Sequence, residues 1–293
     1  MSSSDRSDHP ISEVVVMSAP SAGAGDASEG LLPSGLTDLL APQAEQDAKA
    51  VEAVLSCFAA FGYQRIKPPL VEFEQTLLAQ GPGAALAEQT FRLLDPISRR
   101  MMALRSDMTA QIARIAGTRL ARYPRPLRLA YGGEVMRVVP DVLNPERQLM
   151  QAGAEIIGRD DKQAAAEIIL LGVRALNQAG ILDLTIDLGL PCLAEAVLGD
   201  ELTAMDAAVK DEMFSAISDR DITRLTKLPL KAAPHLAEII DASGAAADRL
   251  AAVTKILPDV AAEQLSGLID IATSLNGLLP DIAITLDPLD MQG

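Results

Sequence analysis

The 293-residue sequence predicts an α+β fold: an antiparallel sheet flanked by helices, with a helical insertion toward the C-terminal end. Three observations lead there. Residues 125–158 contain three β-rich runs, LRLAY, GEVMRVV and RQLMQAGAEII, the last two separated by a loop that holds Pro140 and Pro145. Runs with helical spacing stand on both sides of this stretch. After Pro191 the texture changes to Ala, Leu and Asp with mostly helical periodicity.

Taken in order, residues 1–30 are rich in Ser, Ala, Gly and Asp, which predicts a disordered tail, and the folded core is expected over 31–190. Within 43–61, Val51, Val54, Leu55 and Phe58 recur at helical spacing, and Gly62 can end that helix. Residues 63–69 form a short extended piece. Its pair Pro68-Pro69 cannot sit in a central strand, so it belongs to a sheet edge or a subunit contact. Residues 91–95 and 101–105 read as a hairpin around Pro96-Ile97-Ser98. Ser106-Asp107-Met108-Thr109 opens the next helix, which carries Ile112, Ile115 and Ala116 on one side. Asp107 or Thr109 is either a plain helix N-cap or, for Asp107, a carboxylate presented to a ligand amine. Asp160 or Asp161 caps a helix running to about Gln178, and residues 181–188 alternate as a strand. Residues 191–279 are expected to form the helical insertion, whose composition names no chemistry. Residues 280–293 contain a returning core strand; a strand so near the end predicts that the chain is a piece of a longer reading frame.

Side chains in a strand alternate between faces. In the third run Arg147, Leu149, Gln151, Gly153 and Glu155 therefore share one face, while Met150, Ala152, Ala154 and Ile156 share another that is small and apolar enough for a core. Gln, Gly and Glu in a row supply hydrogen bonds and bare backbone against which a molecule can lie. The same row also reads as the solvated face of an antiparallel sheet, and the residues leave both readings open.

Composition narrows the function. With 25 basic and 40 acidic residues the net charge is −15, and only 3% of residues are aromatic, which disfavours nucleic acid as a partner. The two cysteines, Cys57 and Cys192, lie far apart in apolar contexts and read as reduced thiols. His9 and His235 are the only histidines, so a histidine-based metal site or triad is not expected, nor is any cofactor. No apolar run reaches the length of a membrane span, and Val14-Val15-Val16-Met17 behind a lone Arg6 fits a signal peptide poorly. The protein is read as cytoplasmic.

These pieces resemble the catalytic core of the class II aminoacyl-tRNA synthetases, in the histidyl branch. The 43–61 helix with residues 63–69 is similar to motif 1, which builds the dimer interface in that family. Leu104-Arg105-Ser106-Asp107-Met108-Thr109 resembles its Leu-Arg-Pro-Glu-Gly-Thr signature, with Asp107 for Glu. Glu134-Val135-Met136-Arg137 resembles the motif 2 strand with its arginine. Arg147, Gln151, Gly153, Glu155 and Gly158 agree with the strand that follows.

The departures carry the functional expectation. Where the synthetases have an acid that helps hold ATP, this chain has Val139, and the loop 140–146, basic in that family, contains Asp141 and Glu146. Carboxylates beside a triphosphate raise its energy. The second histidine signature has only Gln292-Gly293 as a match, and motif 3 and the anticodon domain would lie beyond Gly293. An amino-acid half kept and an adenylating half lost resembles the regulatory subunits of ATP phosphoribosyltransferase, paralogues of histidyl-tRNA synthetase. The resemblance implies a non-catalytic subunit needed at the first step of histidine biosynthesis, with a short catalytic subunit as partner and a role in feedback by histidine. It further implies a histidine-like pocket in which Arg137 grips a carboxylate, Asp107 and Glu155 take the ammonium or imidazole, and Thr109 and Gln151 bond nearby. The plainer readings are an Arg137 ion pair with Glu134 or Glu155, and a polar row kept without a ligand. The rivals are a working histidyl-tRNA synthetase, another class II-like amino-acid-activating enzyme, and a dimeric scaffold.

Overall fold

A computed structural model of the chain describes residues 11–17 (backbone only), 32–79, 86–140, 145–244 and 247–290. It divides into two units, Met1–Leu182 and Asp183–Gly293.

The first unit begins with β1 (Ile11–Met17). This segment corrects the expectation of a disordered tail over 11–17. It is rich in β-branched valine, and it pairs antiparallel along an edge that would otherwise be open. The remainder of the tail expectation lies outside the described residues. Next come helix α1 (Gln43–Ala60), β2 (Gln64–Arg65), β3 (Val71–Phe73), the short α2 (Glu74–Leu77), β4 (Arg92–Leu94) and β5 (Met101–Leu104). Helix α3 (Thr109–Gly117), β6 (Leu127–Met136), β7 (Gln148–Ile157) and helix α4 (Lys162–Gln178) complete the unit. The larger sheet has the order β1-β7-β6-β2, and a smaller antiparallel sheet has the order β3-β5-β4. As Pro68-Pro69 required, β2 is an edge strand, paired parallel to β6.

The larger sheet is covered by helices on both faces. Ala152, Ala154 and Ile156 of β7 pack with Val54, Leu55 and Phe58 of α1 and Ile168 and Leu171 of α4. On the opposite face Leu149 and Ile157 pack with Leu129 and Tyr131 of β6 and with Met108 and Ile112 at the start of α3. The face carrying Gln151 and Glu155 is therefore enclosed; the reading of a solvated sheet face is overturned because α3 lies over it. Helix α4 is capped by Asp161, whose Oδ1 accepts from the Ala164 amide at 2.9 Å.

In the second unit β8 (Thr185–Leu188) pairs parallel with β9 (Ala283–Leu286). A parallel pair needs a long crossover. Helices between Leu193–Leu198 and Asp259–Leu278 supply it, around a core that includes Leu193, Met213, Leu225, Leu236 and Leu265. The closing strand pairs with β8. Among the described residues, no helix is long and apolar enough to cross a membrane.

One polar cluster ties α4 to the sheet. Glu167 accepts from Arg128 Nε and Nη2 at 2.6 and 2.7 Å and from Tyr63 Oη at 3.0 Å. The Arg128 guanidinium holds the Glu167 carboxyl below the usual carboxylate range. A depressed carboxylate stabilises the fold above its unfolded pKa, and that contribution is lost as pH falls through the folded value. Glu167→Gln is expected to lower the unfolding free energy by about 1–2 kcal/mol at neutral pH, and by progressively less below about pH 4. Urea titrations across that range check this, and a gap that does not change with pH counts against it.

Candidate functional site

The β6–β7 register builds the site. Val135, Gly133, Tyr131 and Leu129 stand opposite Leu149, Gln151, Gly153 and Glu155. All eight share the face under α3, since partners in a ladder point the same way. Gln151 is 4% and Glu155 1% exposed, so this polar row is interior.

Gln151 joins that row to the start of α3. Its Oε1 accepts from the Met108 amide at 3.0 Å, and its Nε2 donates to Asp107 Oδ2 at 2.6 Å. Asp107 Oδ1 accepts from the Thr109 amide at 2.7 Å, an Asx turn that stabilises the helix entry. Both readings of Asp107 therefore keep some footing. It serves the helix start, and as a half-buried carboxylate it has lone pairs left for another donor. Thr109 is 7% exposed, and its Oγ1 has no hydrogen-bond partner among the described residues. So Asp107, Thr109 and Gln151 come together directly, with Glu155 further along the same strand face.

Arg137 lies at the open end of the ladder. Its amide donates to the Arg147 carbonyl at 2.8 Å, which sets it four residues from the level of Gln151, about 13 Å along the strand. No ion pair or side-chain hydrogen bond engages its guanidinium among the described residues, so the anticipated pairing with Glu134 or Glu155 does not form. Arg147 is structural. It donates to the Arg137 and Ser34 carbonyls at 3.3 and 3.2 Å, and its guanidinium stacks on Phe91 at 4.7 Å.

The residue reading missed two contributors. Tyr131, fully buried, lays its ring against Gly153: a Cβ there would stand 2.5 Å from the phenolic oxygen and 2.6 Å from Cζ. The bare backbone at Gly153 thus serves a neighbour's ring. Arg105 is the second. It is buried, with Nε donating to the Glu134 carbonyl at 2.7 Å and Nη1 to the Pro68 carbonyl at 3.1 Å, and it presses on Gly133. Burial pulls its pKa down, opposed by Glu134 and Glu72. Face alternation along β6 pointed at Tyr131, but only the cross-strand register shows that it meets Gly153.

On the opposite face of the ladder Glu134 stands on the side of α1, which carries Asp47. Burial, with help from Glu134 and Glu146, pushes the Asp47 carboxyl up. Val139 is exposed, and residues 141–144 of the expected acidic loop lie outside the described residues, as does Gln292-Gly293. A separate cleft of about 330 Å³, lined by residues including Val71, Phe73 and Met102, has its charges Glu72 and Arg114 spent on each other. Among the described residues, no group of three or more His, Cys, Asp or Glu is arranged to hold a metal ion.

A family model described as histidyl-tRNA synthetase matches residues 35–293. A sequence from Paramagnetospirillum magneticum named ATP phosphoribosyltransferase regulatory subunit is 42% identical over 91% of this chain and 70% of its own length. One of the same name from Rhodospirillum centenum is 44% identical over 91% of this chain and 68% of its own. Among solved structures, an ATP phosphoribosyltransferase regulatory subunit/histidyl-tRNA synthetase from Bacillus halodurans superposes with a TM-score of 0.75 at 23% identity, covering 92% of this chain and 71% of that one. A histidyl-tRNA synthetase from Nostoc gives 0.69 at 18% identity, over 88% and 60%. These two likenesses speak for the fold.

The contact of Gly153 with Tyr131 is open to test. Gly153→Ala is expected to cost about 1–3 kcal/mol by forcing the ring aside. Combined with Tyr131→Ala, which removes the obstacle, the double variant should be more stable than the sum of the two losses. A denaturation cycle checks this; additivity within about 0.5 kcal/mol would mean that the two do not meet.

Proposed function

The chain belongs to the ATP phosphoribosyltransferase regulatory subunits, within the histidyl-tRNA synthetase family, and from that membership we propose that it carries a histidine-binding pocket which tunes a separate, short catalytic subunit. It is the regulatory, non-catalytic part of the enzyme that opens histidine biosynthesis.

The observation that carries the pocket is the enclosed Thr109 hydroxyl beside Asp107 and Gln151. A buried hydroxyl left without a partner costs roughly 1–3 kcal/mol, and a bound ligand group would recover it. Asp107 and Glu155 then take the ammonium and imidazole of histidine, with Gln151 bonding between them. Arg137, whose fork no side chain among the described residues engages, takes the carboxylate at the open end. A histidine seated over Gln151 meets Asp107 and Thr109, while the long side chains of Arg137 and Glu155 must fold inward to it from four residues to either side.

The acidic loop after β6 speaks against nucleotide activation. Where the loop of the synthetases is basic this chain has Asp141 and Glu146, and a triphosphate beside those carboxylates would be repelled. This favours the regulatory reading over the synthetase rival and over nucleic acid as a partner. Self-association would use α1 and the segment through Pro68-Pro69.

Histidine can change the partner's activity only by binding two states of the assembly with different affinity. At the full natural length of the chain, calorimetry should show histidine binding, and Arg137→Ala should weaken it by about tenfold or more while the catalytic subunit still co-elutes. Equal heats in wild type and variant would remove Arg137 from the pocket. Histidine-dependent ATP–pyrophosphate exchange by this chain alone would overturn the whole reading.

A further inference from the structure

The β4–β5 hairpin has a surface that the pocket does not use. Leu94 and Met101 are cross-strand partners, 59% and 43% exposed, and Ile97 at the tip is 92% exposed. Scattered exposed apolar residues need no explanation, but three together on one projecting element do. Around them stand Arg92, Arg99 and Arg100, all exposed, with Asp95 in the turn and Glu74 paired to Arg92. Asp95 is spent on the turn: it accepts from the Ile97 and Ser98 amides at 3.1 Å each and from the Ser98 hydroxyl at 2.5 Å. In a chain with 40 acidic and 25 basic residues, the hairpin is a basic island with an apolar centre.

The hairpin is also braced. Arg92 Nε donates to Glu74 at 2.6 Å, and the Arg100 guanidinium sits 3.7 Å over the Phe73 ring. These contacts fix it against β3 and α2, so little ordering remains to be done when a partner arrives. An apolar centre rimmed by arginine is the composition that protein interfaces favour. Phe73 is covered by Arg100, so no ring is offered for base stacking.

We propose that this hairpin is the docking element for the catalytic subunit, received by an apolar notch edged with carboxylates. The proposal rests on the regulatory reading above, which supplies the partner. Charge argues for a different chain over a second copy, because a two-fold axis through the hairpin would set arginines against arginines.

The test uses the chain at its full natural length and the purified catalytic subunit from the same organism, with their dissociation constant measured by calorimetry. Ile97→Asp and Arg99→Glu should each weaken assembly at least about tenfold, and Arg99→Glu should also flatten its salt dependence. Neither side chain packs in the core, so melting temperature and the histidine heat should stay as in wild type. If wild type itself fails to bind the catalytic subunit, the regulatory reading fails. If wild type binds and both variants bind equally well, the hairpin proposal alone is overturned. It is overturned too if the variants disturb only the chain's self-association.

Discussion

The ten-residue ladder between β6 and β7 is the constraint on which the first unit depends. Both of its faces are buried, and they differ in kind. One is alanine and isoleucine under α1 and α4; the other carries Gln151, Gly153 and Glu155 under α3. A slip of one residue would exchange the faces, driving Gln151 and Glu155 into an aliphatic layer and turning Ala152 and Ala154 toward the start of α3. Burying an amide and a carboxyl without partners costs several kcal/mol, so polar placement and packing select the same register. Gly132 and Gly153 fit it from either side, the first against Leu55 and the second against Tyr131.

Two buried polar side chains, one from the ladder and one from the segment after β5, bind the ladder to its surroundings. Gln151 binds the entry of α3 through the Met108 amide and Asp107. Arg105 joins the ladder, at the Glu134 carbonyl, to the segment after β2, at the Pro68 carbonyl. Pro68 and Pro69 have no N–H to give a ladder, and their carbonyls would be stranded without such donors; Gln111 supplies the second one at 2.8 Å. The edge strand, the prolines and the helix start are therefore one hydrogen-bonded assembly.

Much of this was legible in residue order, for identifiable reasons. Alternation assigned the β7 side chains from Leu149 to Ile156 to their faces because a strand has period two, and the helices announced themselves by spacing and by Asp161 and Gly62. What could not be read depended on pairing across distance. That both faces are covered, that Tyr131 meets Gly153, and that the closing strand pairs with β8 all follow from register and topology. Local pattern does not encode either one. The strand at Ile11–Met17 was missed for another reason: composition averaged over thirty residues hid a short β-branched run.

The pocket and the hairpin are joined by a single short segment. Strand β5 ends at Leu104, Arg105 follows as the buried pin, and Asp107 and Thr109 belong to the polar floor. A group bound at Asp107 thus acts at one end of a stretch whose other end is the exposed β-hairpin, with no flexible linker between. Packed interiors do not deform gradually, so any response must be a change between discrete arrangements. Arg105 ties this segment to two backbone carbonyls on different elements. If the floor binds histidine and the hairpin binds the catalytic subunit, as proposed, its bonds are where the two would oppose or support each other. Coupling of that kind is reciprocal: whatever the partner does to histidine affinity, histidine must do to the partner by the same factor.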